Sequence, residues 1–292
     1  MFRLLQIELF KIFSRPRTYI AFAVITAIIF LVQIALRFSG REYMDLIMSG
    51  VKETFEVPAE EALNGYLVCY IVLNLLLIHV PILVALVAGD VVAGEANMGT
   101  LRLLLTKPVS RTRLLLIKFL ASSIYTILLL IWVAVLALGL SVLLFGTSDL
   151  FVAREVDSNI IAESDVLWRY FAAFLFAAIG LLTVTALAFM LSAFAENSIG
   201  PIVATVCIII VFTILTQMQI PFYDETVKPY LFTTHMLGWK GFFYVRAEEG
   251  VTVDGSIEDF PLIVKSGLIL IGYAALFVVT AIWYFRKKNI LS

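Results

Sequence analysis

The chain has 292 residues, 62% hydrophobic and 15% charged, with a mean hydropathy of +1.01 and a formal net charge of −1. A soluble domain carries about 45–50% apolar and about 25% charged residues, so this composition excludes one, together with a disordered chain, a coiled coil and a disulfide scaffold. The near-neutral balance gives no basic field for nucleic acid. The chain reads as an all-α polytopic membrane protein forming a single transmembrane domain over residues 1–292.

In chain order, residues 1–16 form the first element. On a helical wheel Phe2, Leu5, Leu9, Ile12 and Phe13 share one face, with Arg3, Lys11 and Ser14 opposite. This is the pattern of an amphipathic helix in the membrane interface, and Pro16 separates it from the first apolar run. Six such runs reach the roughly 20 residues that a helix needs to cross a bilayer. They are Thr18–Leu36, Leu63–Gly89, Leu114–Phe145, Leu167–Phe194, Ile199–Ile220 and Leu262–Phe285. Each is expected to be helical, because lipid offers no partner to an unpaired amide. The first, flanked by Arg15 and Arg17, reads as a start-anchor.

The connections differ in character. Residues 37–62 are polar and acidic. Pro81 near the end of the second run predicts a kink. The third run would be about 48 Å long at 1.5 Å per residue, against a hydrocarbon core of about 30 Å. The second and third helices are therefore expected to project beyond the membrane, with the first turns around Lys118 in water and residues 90–113 at the tip. Four residues join the fourth and fifth runs, forcing a tight hairpin. Residues 221–261 mix acids with many aromatics, including Tyr230, Trp239 and Phe243, which suits the outer interface or packing on other spans.

Charge orients the bundle. Residues 1–17, 90–118, 195–198 and 286–292 hold Arg3, Lys11, Arg15, Arg17, Arg102, Lys107, Arg111, Arg113, Lys118, Arg286, Lys287 and Lys288. Against these stand only Glu8, Asp90, Glu95 and Glu196. This positive-inside bias predicts both termini in the cytoplasm, with the plasma (inner) membrane as the location.

Chemistry-bearing motifs are scarce. The two histidines, His79 and His235, are far apart, and there is no HExxH, no Cys/His cluster and no GxSxG. Residues 94–100 have P-loop glycine spacing but lack its lysine and its preceding strand. Polar groups within the spans, among them Asn74, His79, Thr183, Thr185 and Gln217, either line a substrate path or bond helix to helix. Lys118, Arg169 and Lys265 sit near span ends, where long stems can snorkel.

Residues 90–113 carry the most information. Met98, Leu101, Leu104 and Leu105 follow helical spacing, Thr100 is a candidate cap and Pro108 ends the run. A short helix exposing leucines at a tip suits a partner's groove. At this segment the chain resembles the permease subunit of an ABC-2 type exporter. The features are Glu95, Gly99-Thr100, the leucines of 101–105, Pro108-Val109-Ser110-Arg111 and Lys118, with Glu8, Lys11, Arg15 and Pro16 matching the family's elbow helix. The resemblance implies pairing with a second permease subunit, as homodimer or heterodimer, and with separate ABC ATPase subunits. Glu95, Gly99, Thr100, Leu101, Leu104, Leu105, Pro108 and Arg111 would form the coupling segment, and ATP and magnesium would bind the partner ATPase, with no cofactor on this chain. The chain would then not itself be an enzyme. Two other readings stand beside it. One is a non-transport anchor for an ABC ATPase; the other is a membrane enzyme using His235 with Asp224 or Glu225.

Overall fold

A computed structural model of the protein describes residues 2–49, 63–100, 110–153, 158–218, 223, 226–248 and 251–288. The coupling-segment residues Leu101, Leu104, Leu105 and Pro108, and the acids Asp224 and Glu225, lie outside the described residues.

Helix α1 (Phe2–Phe13) is followed by α2 (Pro16–Ser49), with Pro16 at the first helical position, where its missing amide costs nothing. Helix α3 (Gly65–Ala88) leads into the short α4 (Ala93–Asn97), and α5 spans Arg111–Phe145. A hairpin of β1 (Leu150–Ala153) and β2 (Ser158–Ile161) precedes α6 (Glu163–Phe194) and α7 (Ile199–Gln217). After α7 come a 3-10 turn (Lys228–Tyr230), α8 (Phe232–Met236), a second 3-10 segment (Leu237–Phe243) and the hairpin β3 (Ala247–Glu248) with β4 (Val251–Thr252). Helix α9 (Phe260–Lys287) completes the described chain. Helices α2, α3, α5, α6, α7 and α9 are each long and apolar enough to cross a membrane, so this is a multi-pass membrane protein.

All six expected spans are present, with shifted ends. Helix α2 continues thirteen residues beyond Leu36, past the end of its apolar run. The fold is not purely helical either, since two small hairpins cap the bundle.

Helix α6 is the central element, packed on α3, α5, α7 and α9. Its middle turns are small or β-branched and buried, among them Gly180, Thr183, Val184, Thr185, Ala186 and Ala188, which lets neighbouring helices come close where hydrophobic burial is not the driving force. Thr185 Oγ1 lies 2.8 Å from Thr126 Oγ1 of α5, and the Thr183 hydroxyl donates to the Leu270 carbonyl of α9 at 3.0 Å. Within α5, residues Val135–Leu140 form a π-helical turn. Gln33 of α2, wholly buried, donates there to the Leu136 carbonyl at 3.1 Å and to Ser141 Oγ at 2.9 Å. The turn disturbs the i→i−4 ladder, and the Gln33 amide supplies bonds at that point.

The two ends of the bundle are fixed differently. At one end, Asn64 caps α3 by accepting the Leu67 amide while donating to Ser148 Oγ and the Asp149 carbonyl. Nearby, Arg169 of α6 is fully buried. It donates to Asp165, to the Phe242 carbonyl at 2.7 Å and to the Ser256 carbonyl at 2.8 Å. Arg169 therefore does not snorkel; it ties the aromatic connection to α6. That connection packs on the spans, with Phe243 against Tyr70 and Tyr170. The opposite end carries the basic residues.

Gly65 tests this packing. A Cβ there would lie 2.6 Å from Val142 Cα and 2.7 Å from the Ser141 carbonyl, both backbone atoms of α5. Gly65→Ala should lower stability by about 1–3 kcal/mol, the usual cost of overpacking, measured by thermal unfolding in detergent. An unchanged melting temperature would contradict the close seat of α3 on α5.

Candidate functional site

At the basic end, α1, the α3–α4 junction and the first turns of α5 meet in a ring of four charges. Lys11 Nζ lies 2.7 Å from Glu8 and 2.7 Å from Glu95. Lys118 Nζ lies 2.7 Å from Glu8 and 2.8 Å from Glu95. Each carboxylate thus touches two ammoniums, and each ammonium two carboxylates. The Lys118–Glu95 contact is an ion pair without hydrogen-bond alignment; the other three are hydrogen-bonded. Lys118, Glu8 and Glu95 are buried, and Lys118 adds a 3.3 Å bond to the Val91 carbonyl. One pair of charges buried alone would lose more in desolvation than it recovers. A closed ring gives every member two opposite neighbours, which offsets that cost.

A second cluster adjoins the ring. Asp90, also buried, pairs with Arg15 and, at 2.9 Å, with Arg17. Gly94 makes room for it, since a Cβ there would sit 2.5 Å from Asp90 Oδ1. The amides of Val92 and Ala93, at the start of α4, donate to Ser192 Oγ of α6 at 3.1 and 2.9 Å, satisfying groups that a helix start leaves open. Between the clusters runs a crevice of about 20 Å³ lined by Glu8, Lys11, Arg15, Arg17, Asp90 and Glu95, room for about one water.

These contacts revise the expected tip. Residues 90–95 are buried inside the bundle rather than held out in water, and Lys118 is 1% exposed. Exposure begins at Asn97, and Gly99 turns the chain with φ +70°. The Thr100 hydroxyl donates to the Glu95 carbonyl at 3.3 Å. Ser110 caps α5 by accepting the Arg113 amide. Arg111 turns away from this region and donates to the Phe285, Arg286 and Lys288 carbonyls at 3.5, 3.3 and 2.8 Å, closing the end of α9. Lys288 does the same for α6 through the Phe194 and Ala195 carbonyls. Cations at helix C-termini complement the dipole and the orphan carbonyls.

The candidate path residues do not converge. Asn74 bonds the Tyr70 carbonyl within its own helix, and exposed His79 bonds the Leu75 carbonyl at 2.8 Å. Thr183 and Thr185 are buried helix-to-helix links, and Gln217 is exposed at the end of α7. His235 is bonded to Ser266 Oγ and the Pro229 carbonyl. Among the described residues, no group of three or more His, Cys, Asp or Glu is arranged to hold a metal ion.

On α1 the expected apolar face is only partly right. Ile12 is buried and Leu5, Leu9 and Phe13 pack on the core. Glu8 is buried beside them, while Phe2 and Phe10 are 72% and 73% exposed. The helix turns its carboxylate inward and two aromatics outward. Sequence reasoning misses the ring. Its signal is the presence of acids at all in so basic a set, since of the four Glu8 and Glu95 are in the ring and Asp90 is in the adjoining cluster.

Comparison with known proteins gives a family. A model described as "Protein of unknown function (DUF2705)" matches residues 23–291, so the chain belongs to the DUF2705 family. The chain is also 31% identical over 117 residues to the uncharacterized protein YhcI of Bacillus subtilis (strain 168). That match covers 39% of this chain and 37% of the length of YhcI.

The ring has two measurable consequences. Lys118→Met leaves Glu8 and Glu95 buried with one shared cation, so stability in detergent should fall by about 3–5 kcal/mol, the cost of breaking a buried pair. Thermal unfolding of the variant checks this. The second concerns pH. Burial alone would raise the Glu8 carboxyl, but Lys118 and Lys11 outweigh it and hold it below its ordinary 4.5. Burial would lower Lys11, but its bonds to Glu8 and Glu95 outweigh it and hold it above its ordinary 10.5. A depressed acid stabilises above its unfolded value and loses this as pH falls through its folded value; a raised lysine stabilises below its unfolded value and loses this as pH rises through its folded value. Attachment of α1 should therefore persist between 4.5 and 10.5 and weaken outside that window. A spin label at Phe10→Cys, in a background with Cys207→Ser, should gain mobility only there. Mobility rising near neutral pH would contradict the ring.

Proposed function

We propose that this member of the DUF2705 family is the membrane permease subunit of an ATP-driven ABC exporter, working with a second permease subunit and with separate ABC ATPase subunits. Both termini face the cytoplasm, α1 is the interfacial elbow, and the complex resides in the plasma membrane. ATP and magnesium are held by the ATPase partner.

The observation that carries this reading is the fixing of Glu95 by Lys11 and Lys118, six residues before Leu101. A segment that must pass force between a soluble ATPase and membrane helices needs a rigid root. Here the root of residues 96–109 is tied to α1, to α5 and, through Ser192, to α6. From that root Met98 is 57% exposed and leads into the leucine-bearing stretch. The basic end of the bundle agrees with a cytoplasmic location for this segment. A bundle lacking a P-loop lysine of its own suits a division of labour in which another chain performs the nucleotide chemistry.

Purification from native membranes in mild detergent should bring down a stoichiometric P-loop ATPase, identified by mass spectrometry. Leu101→Asp and Leu104→Asp should abolish that co-purification while leaving membrane insertion unchanged, because a buried aspartate in a docking groove is uncompensated. Reproducible absence of an ATPase, or its full retention with both variants, would overturn the reading.

A further inference from the structure

A cavity of about 70 Å³ lies midway along the spans, between α3, α5 and α6. Its walls include Leu77 and Val80 of α3, Leu130 of α5 and Ala177 of α6, and its roof is Met236 and Trp239 from the aromatic connection. Among the described residues, none that lines it is charged. The space exists because α6 offers Ala173, Ala177 and Gly180 at helical spacing, while the roof is held close to α6 at Gly238, where a Cβ would lie 2.6 Å from Phe176 Cζ. The indole of Trp239 is held in turn by rings of Tyr70 and Phe243, so the roof does not collapse into the gap.

The cavity is not fully enclosed. Phe174 forms part of its wall, and on the same helix the neighbouring Phe171 and Leu175 are 68% and 55% exposed. Exposed aromatic and leucine side chains along a membrane-spanning helix face hydrocarbon. An apolar cavity of this kind stays dry, since water needs two to four polar partners that these walls do not supply. Methylene groups fit both the lining and the adjoining medium.

We propose that this cavity is a binding site for a single alkyl chain entering from the membrane past Phe174. About 70 Å³ is under half of the roughly 150 Å³ that holds benzene, so the chemistry is that of the last few methylene groups of an acyl chain, carried either by a bilayer phospholipid or by a free amphiphile. The site lies within one copy of the chain and holds whether or not the protein drives transport.

The test is photo-crosslinking of the wild-type chain in nanodiscs, with a diazirine placed near the chain terminus on a phospholipid in one arm and on a free fatty acid in the other. Peptide mapping should find label on buried Leu76, Val133 or Trp239, which bulk lipid does not reach, as well as on exposed Phe171 and Leu175. Label on the buried residues in the first arm identifies a phospholipid chain, and in the second arm alone a free amphiphile. Ala177→Leu should abolish the label on the buried residues and keep that on Phe171 and Leu175, the internal sign of an intact fold. Label confined to exposed residues in both arms would overturn the proposal, as would buried label that survives Ala177→Leu undiminished.

Discussion

Two acids and two lysines from three separate parts of the chain, Glu8 with Lys11, Glu95 and Lys118, are removed from water together at one end of the bundle. Each alone would be prohibitively costly to bury. Arranged alternately, each is satisfied by two opposite neighbours, so the position of α1 against α5 and the path of the chain after α3 become one property. The neighbouring Asp90 with Arg15 and Arg17 extends the constraint to the start of α2. Gly94, which admits the Asp90 carboxylate, and Ser192, which receives the first amides of α4, exist at the service of that geometry. The ends of α6 and α9 are then closed by Lys288 and Arg111, so these two, like Lys11, Arg15, Arg17 and Lys118, are engaged in structure as well as in orientation.

The opposite end uses a smaller version of the same device. Arg169 is buried, paired with Asp165 and bonded to two carbonyls of the aromatic connection. Between the ends the interior is held by hydroxyl and amide links among α2, α5, α6 and α9, and by close packing along α6. Buried charge among the described residues is thus concentrated in two layers, with an apolar cavity between them.

The spans are legible because a run of about twenty apolar residues has few alternatives in a bilayer. Their ends are less so: α2 runs on past Leu36, where hydropathy no longer decides. The π-helical turn at Val135–Leu140 leaves no mark in the local sequence, and its contact with Gln33 comes from more than a hundred residues away. The charge ring is hidden for the same reason. Lys118 at the edge of an apolar run can snorkel, stand in water or pair, and only the fold chooses. Thr183 and Thr185 show how a polar residue inside a span is ambiguous in sequence; here both serve as links between helices. Arg111 belongs to a Pro-Val-Ser-Arg run read for its partner contacts, yet its guanidinium closes a helix of its own chain.

The exporter reading gives this architecture a use, since a rigid root beneath a leucine-bearing segment is what force transmission requires. The central claim is that the four charges act as a ring and not as two independent pairs. The most direct measurement is the thermal stability of the exchanged variant Glu95→Lys with Lys118→Glu. Independent pairs of Glu8 with Lys11 and of Glu95 with Lys118 would tolerate the exchange and return stability near that of the wild type. In a ring the exchange sets like charges against each other beside both Lys11 and Glu8, so the exchanged variant should be less stable than Lys118→Met. Recovery of wild-type stability would contradict the account.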